Sequence, residues 1–142
     1  MMKILVATDG SDNANRVVEF LAKNSGWYTG PLEVHLLAVQ LPLAGVNVKL
    51  FLSQDALNDY YREEGEAALA RAKAILGGAG IAFVPHIGVG DPGEVIVQYA
   101  ESKGCDQIVM GSRGLGAVGN LVVGSVATKV LHLSKVPVLL VK

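Results

Sequence analysis

Along its whole length this chain alternates apolar runs of strand length with segments whose apolar residues recur at helical spacing. That alternation restricts the fold to an α/β domain on a parallel sheet. The strand-like runs are Lys3 to Thr8, Leu32 to Val39, Ile81 to Gly88, Gln107 to Met110 and Val138 to Val141. Pro85 cannot donate to a ladder, which assigns the third run to a sheet edge. Four helical segments lie between the runs. Ser11 is the N-cap of the first, whose Ala14, Val17, Val18, Leu21 and Ala22 form one stripe before the helix ends near Gly26. Ser53 opens a long second helix ending at Gly77-Gly78. Its Leu57, Tyr60, Tyr61, Glu64, Ala68, Ala72, Ile75 and Leu76 follow helical spacing with one polar residue among them. Asp91 caps the third, Pro92 is its first residue, where a missing N–H costs nothing, and Gly93 to Ser102 follow. Val126 to Leu133 form the fourth.

Size and charge narrow what such a domain does. A chain of 142 residues holds one complete core, and no linker, repeat or low-complexity tract divides it. Hydrophobic residues make up 51% of it, enough for a core with apolar surface left for a partner subunit. The formal net charge of -1 argues against a nucleic-acid partner. Met1 to Ala7 is apolar only briefly before Thr8-Asp9-Gly10, and Leu41 to Leu52 is broken by Asn47 and Lys49. Neither a secretory leader nor a membrane helix is expected, and the expectation is a soluble cytoplasmic protein. Cys105 has no second cysteine to pair with and reads as a small buried residue. His35, His86 and His132 lie on different elements without ligand-like spacing, so no histidine metal site is expected. His132 falls in the last turn of a helix, where an imidazolium meets the helix dipole favourably. No GxSxG, HExxH or kinase-type catalytic loop is present, and nothing supplies a dedicated nucleophile or general base.

The chemistry concentrates between the fourth strand and the fourth helix. Gly111-Ser112-Arg113-Gly114 leaves the strand, and Gly124-Ser125 stands at the helix start. Glycine at a strand exit lets backbone N–H groups come close to a ligand. A helix start adds unpaired N–H groups at the positive end of the dipole, here with a serine hydroxyl. From Gln107 to Lys142 there is no Asp or Glu, whereas Arg113, Lys129, Lys135 and Lys142 are present. The segment reads as a place to hold phosphate. Two familiar phosphate motifs overlap it and fail. Gly119 to Ser125 has P-loop glycine spacing, but Ser125 stands where that motif needs the lysine that reaches the outer phosphates. Gly114 to Gly119 matches GxGxxG, but it follows the fourth strand and no acidic residue comes after it, so we discount the match.

The full pattern Gly-x2-Gly-x9-Gly-Ser fits better. Together with Lys3-Ile4-Leu5-Val6-Ala7-Thr8-Asp9-Gly10-Ser11 and Val136-Pro137-Val138-Leu139-Leu140-Val141, it resembles the ATP-binding branch of the universal stress protein family over residues 1–142. The resemblance implies an adenine nucleotide alpha hydrolase-like fold, a three-layer sandwich with a five-stranded parallel sheet in the order 3-2-1-4-5. Winding reverses between strands one and four in that order, and open α/β sheets bind ligands at such a reversal. Asp9 and Gly111 then face one another. By the same resemblance, ATP (or AMP or ADP) is held by Ala7, Thr8, Asp9, Val39, Met110, Gly111, Arg113, Gly114, Gly124, Ser125 and Val126, with Mg or Mn accompanying the nucleotide. It also implies a homodimer in which Val136 to Lys142 pairs antiparallel with its copy across a two-fold axis.

Several of these residues admit a second reading. Asp9 accepts from a ribose or helps hold a divalent ion shared with the phosphates, or it is a turn residue before Gly10. Arg113 is a phosphate contact or a solvated surface residue, and Val39 faces adenine or is core. The apolar stretch Gln40 to Leu52, long for a connection, is expected to cover the nucleotide or pack on the partner. The leading expectation is a nucleotide-binding module in stress response, with at most weak ATP hydrolysis. The alternatives are a phosphoryl-transfer enzyme using the same crevice, or a structural dimer that binds no nucleotide.

Overall fold

In chain order the protein forms β1 (Met2–Thr8), α1 (Asp12–Lys23), a 3₁₀ turn (Ser25–Trp27), β2 (Leu32–Gln40), α2 (Gln54–Gly78) and β3 (Ala82–Val89). It continues with α3 (Pro92–Ser102), β4 (Gln107–Gly111), α4 (Ser125–Leu133) and β5 (Val138–Val141). This computed structural model describes residues 1–43, 52–113 and 123–142. The sheet order is β3-β2-β1-β4-β5, as the resemblance implies, and all neighbours are parallel. Pro85 lies on β3 at one edge, where its missing N–H leaves no ladder partner unsatisfied. Most of the stretch from Gln40 to Leu52, residues 44–51, lies outside the described residues.

Side chains alternate along the strands and build two cores. Ile4, Val6, Val34, Leu36 and Val109 meet Val17, Val18 and Leu21 of α1 and Leu69, Ala72 and Leu76 of α2. Leu5, Leu37, Ile108 and Met110 meet Val95, Ile96 and Ala100 of α3 and Ala127 and Val130 of α4. Helices α1 and α2 therefore cover one face, and α3 and α4 the other. Leu5, Leu36, Leu37 and Ile108 are fully buried, and burial of one such side chain contributes about 1.5–3 kcal/mol.

The helix starts follow the local chemistry. Ser11, Ser53 and Asp91 each accept from the backbone N–H three residues on, at 3.1, 3.1 and 3.2 Å. The long helix corrects one expectation. Its inner stripe runs through Gly65, Leu69, Ala72 and Leu76, while Glu64 is exposed and Tyr60 is 40% exposed. A Cβ on Gly65 would lie 2.7 Å from the Ile87 side chain, so the glycine sets how closely α2 approaches β3. An apolar count passes over such a residue.

Candidate functional site

The sheet is continuous on either side of β1 and β4 but opens between them. Pairing of β1 with β2 runs to Thr8↔Ala38, and pairing of β4 with β5 runs to Gly111↔Val141. The β1–β4 ladder stops at Val6↔Val109, two residues short of both strand ends. Ala7-Thr8 and Met110-Gly111 thus diverge at the carboxyl edge, and winding reverses there, with α1 and α2 on one face and α3 and α4 on the other.

Several residues nominated from the sequence gather around this opening. Met110 is buried in the core beneath α3 and α4, and half-buried Ala7, Val39 and Val126 pack against the same cluster. Ala7, Val39 and Met110 stand near the carboxyl ends of β1, β2 and β4, and Val126 in the first turn of α4. Thr8 is buried, and its Oγ1 accepts from the Gly10 N–H at 3.1 Å. Asp9 is exposed, and its Oδ1 accepts from the Ser11 N–H at 2.9 Å, so the carboxylate takes part in the turn that starts α1. Gly10 completes that turn with φ of 80°, and a Cβ there would lie 2.9 Å from the Ala68 Cα. Spacing along the chain carries no signal for this contact of Gly10 with α2.

On the other side of the opening, the N–H of Ser112 donates to the Val141 carbonyl at 3.1 Å, and the N–H of Gly124 donates to the Ser112 carbonyl at 2.6 Å. This corrects the expectation of an unpaired amide at Gly124. The amides of Ser125, Val126 and Ala127 are the ones without an intrahelical acceptor, because they form the first turn of α4 and a glycine cap has no side-chain oxygen. Ser125 is exposed at that positive helix end. Gly111 has a tight environment of its own, since a Cβ there would lie 3.1 Å from the Arg113 carbonyl oxygen. Gly114 lies outside the described residues.

The cations of this segment divide into two groups. Lys129 on α4 pairs with Asp91 at 2.9 Å and Glu94 at 3.4 Å at the start of α3, and Lys135 reaches Glu101 at 3.9 Å. The hydrogen bond from Lys129, then the Glu94 N–H, hold the Asp91 carboxyl below its usual range, and Asp91 in turn raises Lys129. Arg113 and Lys142 pair with no carboxylate among the described residues.

Two of the histidines meet across the sheet. His35 on β2 and His86 on β3 stack with ring centroids 5.2 Å apart, and His35 Nδ1 lies 2.9 Å from His86 Nε2. Glu33 meets His35 Nε2 at 3.0 Å. Burial first, then the charges of His35 and Lys103, lower the His86 pKa. Sequence separation concealed the pair, since only the β2–β3 register brings these residues together. Among the described residues no group of three or more His, Cys, Asp or Glu side chains is placed to hold a metal, and no helix is long and apolar enough to cross a membrane.

Comparison with known proteins agrees with this geometry. A family model described as the universal stress protein family matches residues 1–142. A universal stress protein of Thermus aquaticus is 37% identical over 146 residues, covering 98% of this chain and 97% of the relative. The solved structure of MJ0577 from Methanocaldococcus jannaschii superposes with a TM-score of 0.84 at 33% identity, covering 99% of this chain and 95% of that one. A universal stress protein from Archaeoglobus fulgidus, solved in complex with dAMP, superposes with a TM-score of 0.67 at 27% identity, covering 100% and 98%.

Proposed function

The chain belongs to the universal stress protein family, and on that premise we propose that it is an adenine-nucleotide-binding module that holds ATP and acts in a stress response through its bound state. The observation that carries this reading is the opening between β1 and β4, with half-buried apolar residues on one side and, on the other, the first turn of α4, whose amides have no intrahelical acceptor. A purine ring is flat and apolar on its faces, and Ala7, Val39, Met110 and Val126 offer a matching floor. A polyphosphate needs N–H donors and positive potential. The start of α4 supplies both, and the Ser125 hydroxyl adds a further donor. The dAMP bound by the Archaeoglobus fulgidus relative supports an adenine ligand.

Asp9, the residue that follows β1, would accept from the ribose or share a Mg or Mn ion with the phosphates, with Thr8 before it. Arg113 and Gly114 complete the phosphate side. Turnover is slow or absent, because Ser125 occupies the position of the P-loop lysine and no nucleophile or base is supplied. The module works in the cytoplasm as a homodimer joined at the free edge of β5. Mass spectrometry of the purified protein tests the reading. A co-purified adenine nucleotide that persists without conversion supports a binding module. Rapid release of ADP supports the enzyme alternative, and a protein that carries and binds none is a structural dimer.

A further inference from the structure

Helices α3 and α4 cover the same face of the sheet and both begin at its carboxyl edge, α3 after β3 and α4 after the exit of β4. Their starts carry opposite chemistry. The first turn of α4 holds no acidic residue, whereas α3 opens with Asp91 as its N-cap and Glu94 in its first turn. The two carboxylates favour the start of their own helix, but on this edge they oppose an anion held at the start of α4. Lys129 meets both, with Nζ 2.9 Å from Asp91 Oδ2 and 3.4 Å from Glu94 Oε1. Among the described residues Arg62, Arg71, Lys73 and Lys135 each reach one carboxylate, and Lys129 alone reaches two.

The contact is built on both helices. Lys129 stands one helical turn after Ser125, and a helical side chain leans toward the N-terminus of its helix, so the lysine stem runs back toward the start of α4. The stem lies across Gly93, which is buried in the first turn of α3. A Cβ on that glycine would lie 2.9 Å from each of the Lys129 Cβ, Cγ and Cδ atoms. The side chain missing at Gly93 is therefore the seat of the lysine stem. Helix propensity disfavours glycine there and no positive φ requires it, so the seat accounts for the residue.

We infer that Lys129 is a positioning residue that sets how strongly the opening favours ATP over AMP, by neutralising the acidic start of α3 beside the start of α4. The inference rests on the reading of the opening as an adenine-nucleotide site. With Lys129 in place, one of the two negative charges at the start of α3 is cancelled. Without it both stand uncompensated, and their repulsion grows with each phosphate added to the nucleotide.

The test compares dissociation constants for AMP and ATP by calorimetry, in low salt with EDTA so that no metal ion alters the phosphate charge. Lys129→Met keeps an apolar stem in the Gly93 seat and removes the charge. It should weaken ATP by about fivefold and AMP by about twofold at most, and the ATP loss should shrink at an ionic strength of about 0.5 M, where charges are screened over short distances. Adding Asp91→Asn and Glu94→Gln to Lys129→Met should return ATP to near the wild-type affinity, since asparagine preserves the cap. The same two substitutions with Lys129 intact should tighten ATP, which checks the role even if Lys129→Met does not fold. Equal losses for AMP and ATP that salt does not reduce, or an ATP affinity unchanged in every variant, overturn the inference and leave the nucleotide reading standing. A wild-type protein that binds neither nucleotide removes that reading and this role together.

Discussion

Gly124 donates its amide hydrogen to the carbonyl of Ser112 at 2.6 Å, which ties the start of α4 to the exit of β4. Ser112 is itself fixed to β5 through Val141, so the bare first turn of α4 is held in position by backbone bonds that need no ligand. At Gly124, φ of -76° and ψ of 171° are open to any residue, so backbone strain does not demand glycine there.

The turn after β1 is under a different constraint. Gly10→Ala places a side chain at φ of 80° and a Cβ 2.9 Å from the Ala68 Cα, and we expect it to cost about 1–3 kcal/mol of stability. Gly77→Ala, in the last turns of α2 with nothing within 4 Å of its added Cβ, is expected to gain up to about 1 kcal/mol. Urea unfolding of the pair checks both signs.

Stability also depends on pH through His86. Its folded pKa is lowered by burial, by His35 and by Lys103, so the unfolded chain binds the proton more readily. The contribution is therefore fully present above the ordinary histidine range near pH 6.5 and is lost as pH falls through the lower folded value. Glu33, on the far nitrogen of His35, and the Tyr99 ring beside His86 complete the surroundings. Urea midpoints measured from about pH 7.5 down to about pH 5 should fall, and His86→Gln should flatten that fall. An equal pH dependence in both proteins would contradict this assignment.

Subunit pairing is testable at β5 without damaging the β4 ladder. The Pro137 and Val141 carbonyls accept from Ile108 and Ser112, so the alternation of a parallel strand turns the N–H and C=O of Val138 and Leu140 toward the free edge. Leu140→Pro removes an outward donor, and light scattering should show a monomer where the wild-type is a dimer, with circular dichroism unchanged. Lysine at Leu139 or Val141 adds a charge against one core, whereas proline at Leu140, which packs against the other, keeps an apolar side chain there. A wild-type monomer at micromolar concentration would remove the dimer from the account.

What the sequence disclosed and what it concealed follow from the range of the interactions. The caps at Ser11, Ser53 and Asp91 and the edge position of Pro85 rest on local chemistry and could be read in advance. The His35–His86 pair and the fit of Gly65 against Ile87 depend on register and helix placement, for which spacing along the chain carries no signal. Lys129 counted as a cation near the phosphate side, yet it pairs with Asp91 and Glu94 on α3.

The central claim is that adenine nucleotide binds where β1 and β4 part, against the start of α4. Thermal unfolding with and without millimolar ATP and magnesium tests it most directly, comparing the wild-type with Gly124→Asp and Asp9→Ala. At a ligand concentration about 100 times Kd, linkage contributes about 2.7 kcal/mol, on the order of 8 °C in Tm for a domain of this size. The account predicts that shift for the wild-type and almost none for Gly124→Asp, which adds bulk and negative charge at the helix start. For Asp9→Ala it predicts a smaller loss, because the phosphate side is left intact. A wild-type Tm unmoved by ATP, in a protein that carries no nucleotide from purification, would contradict it.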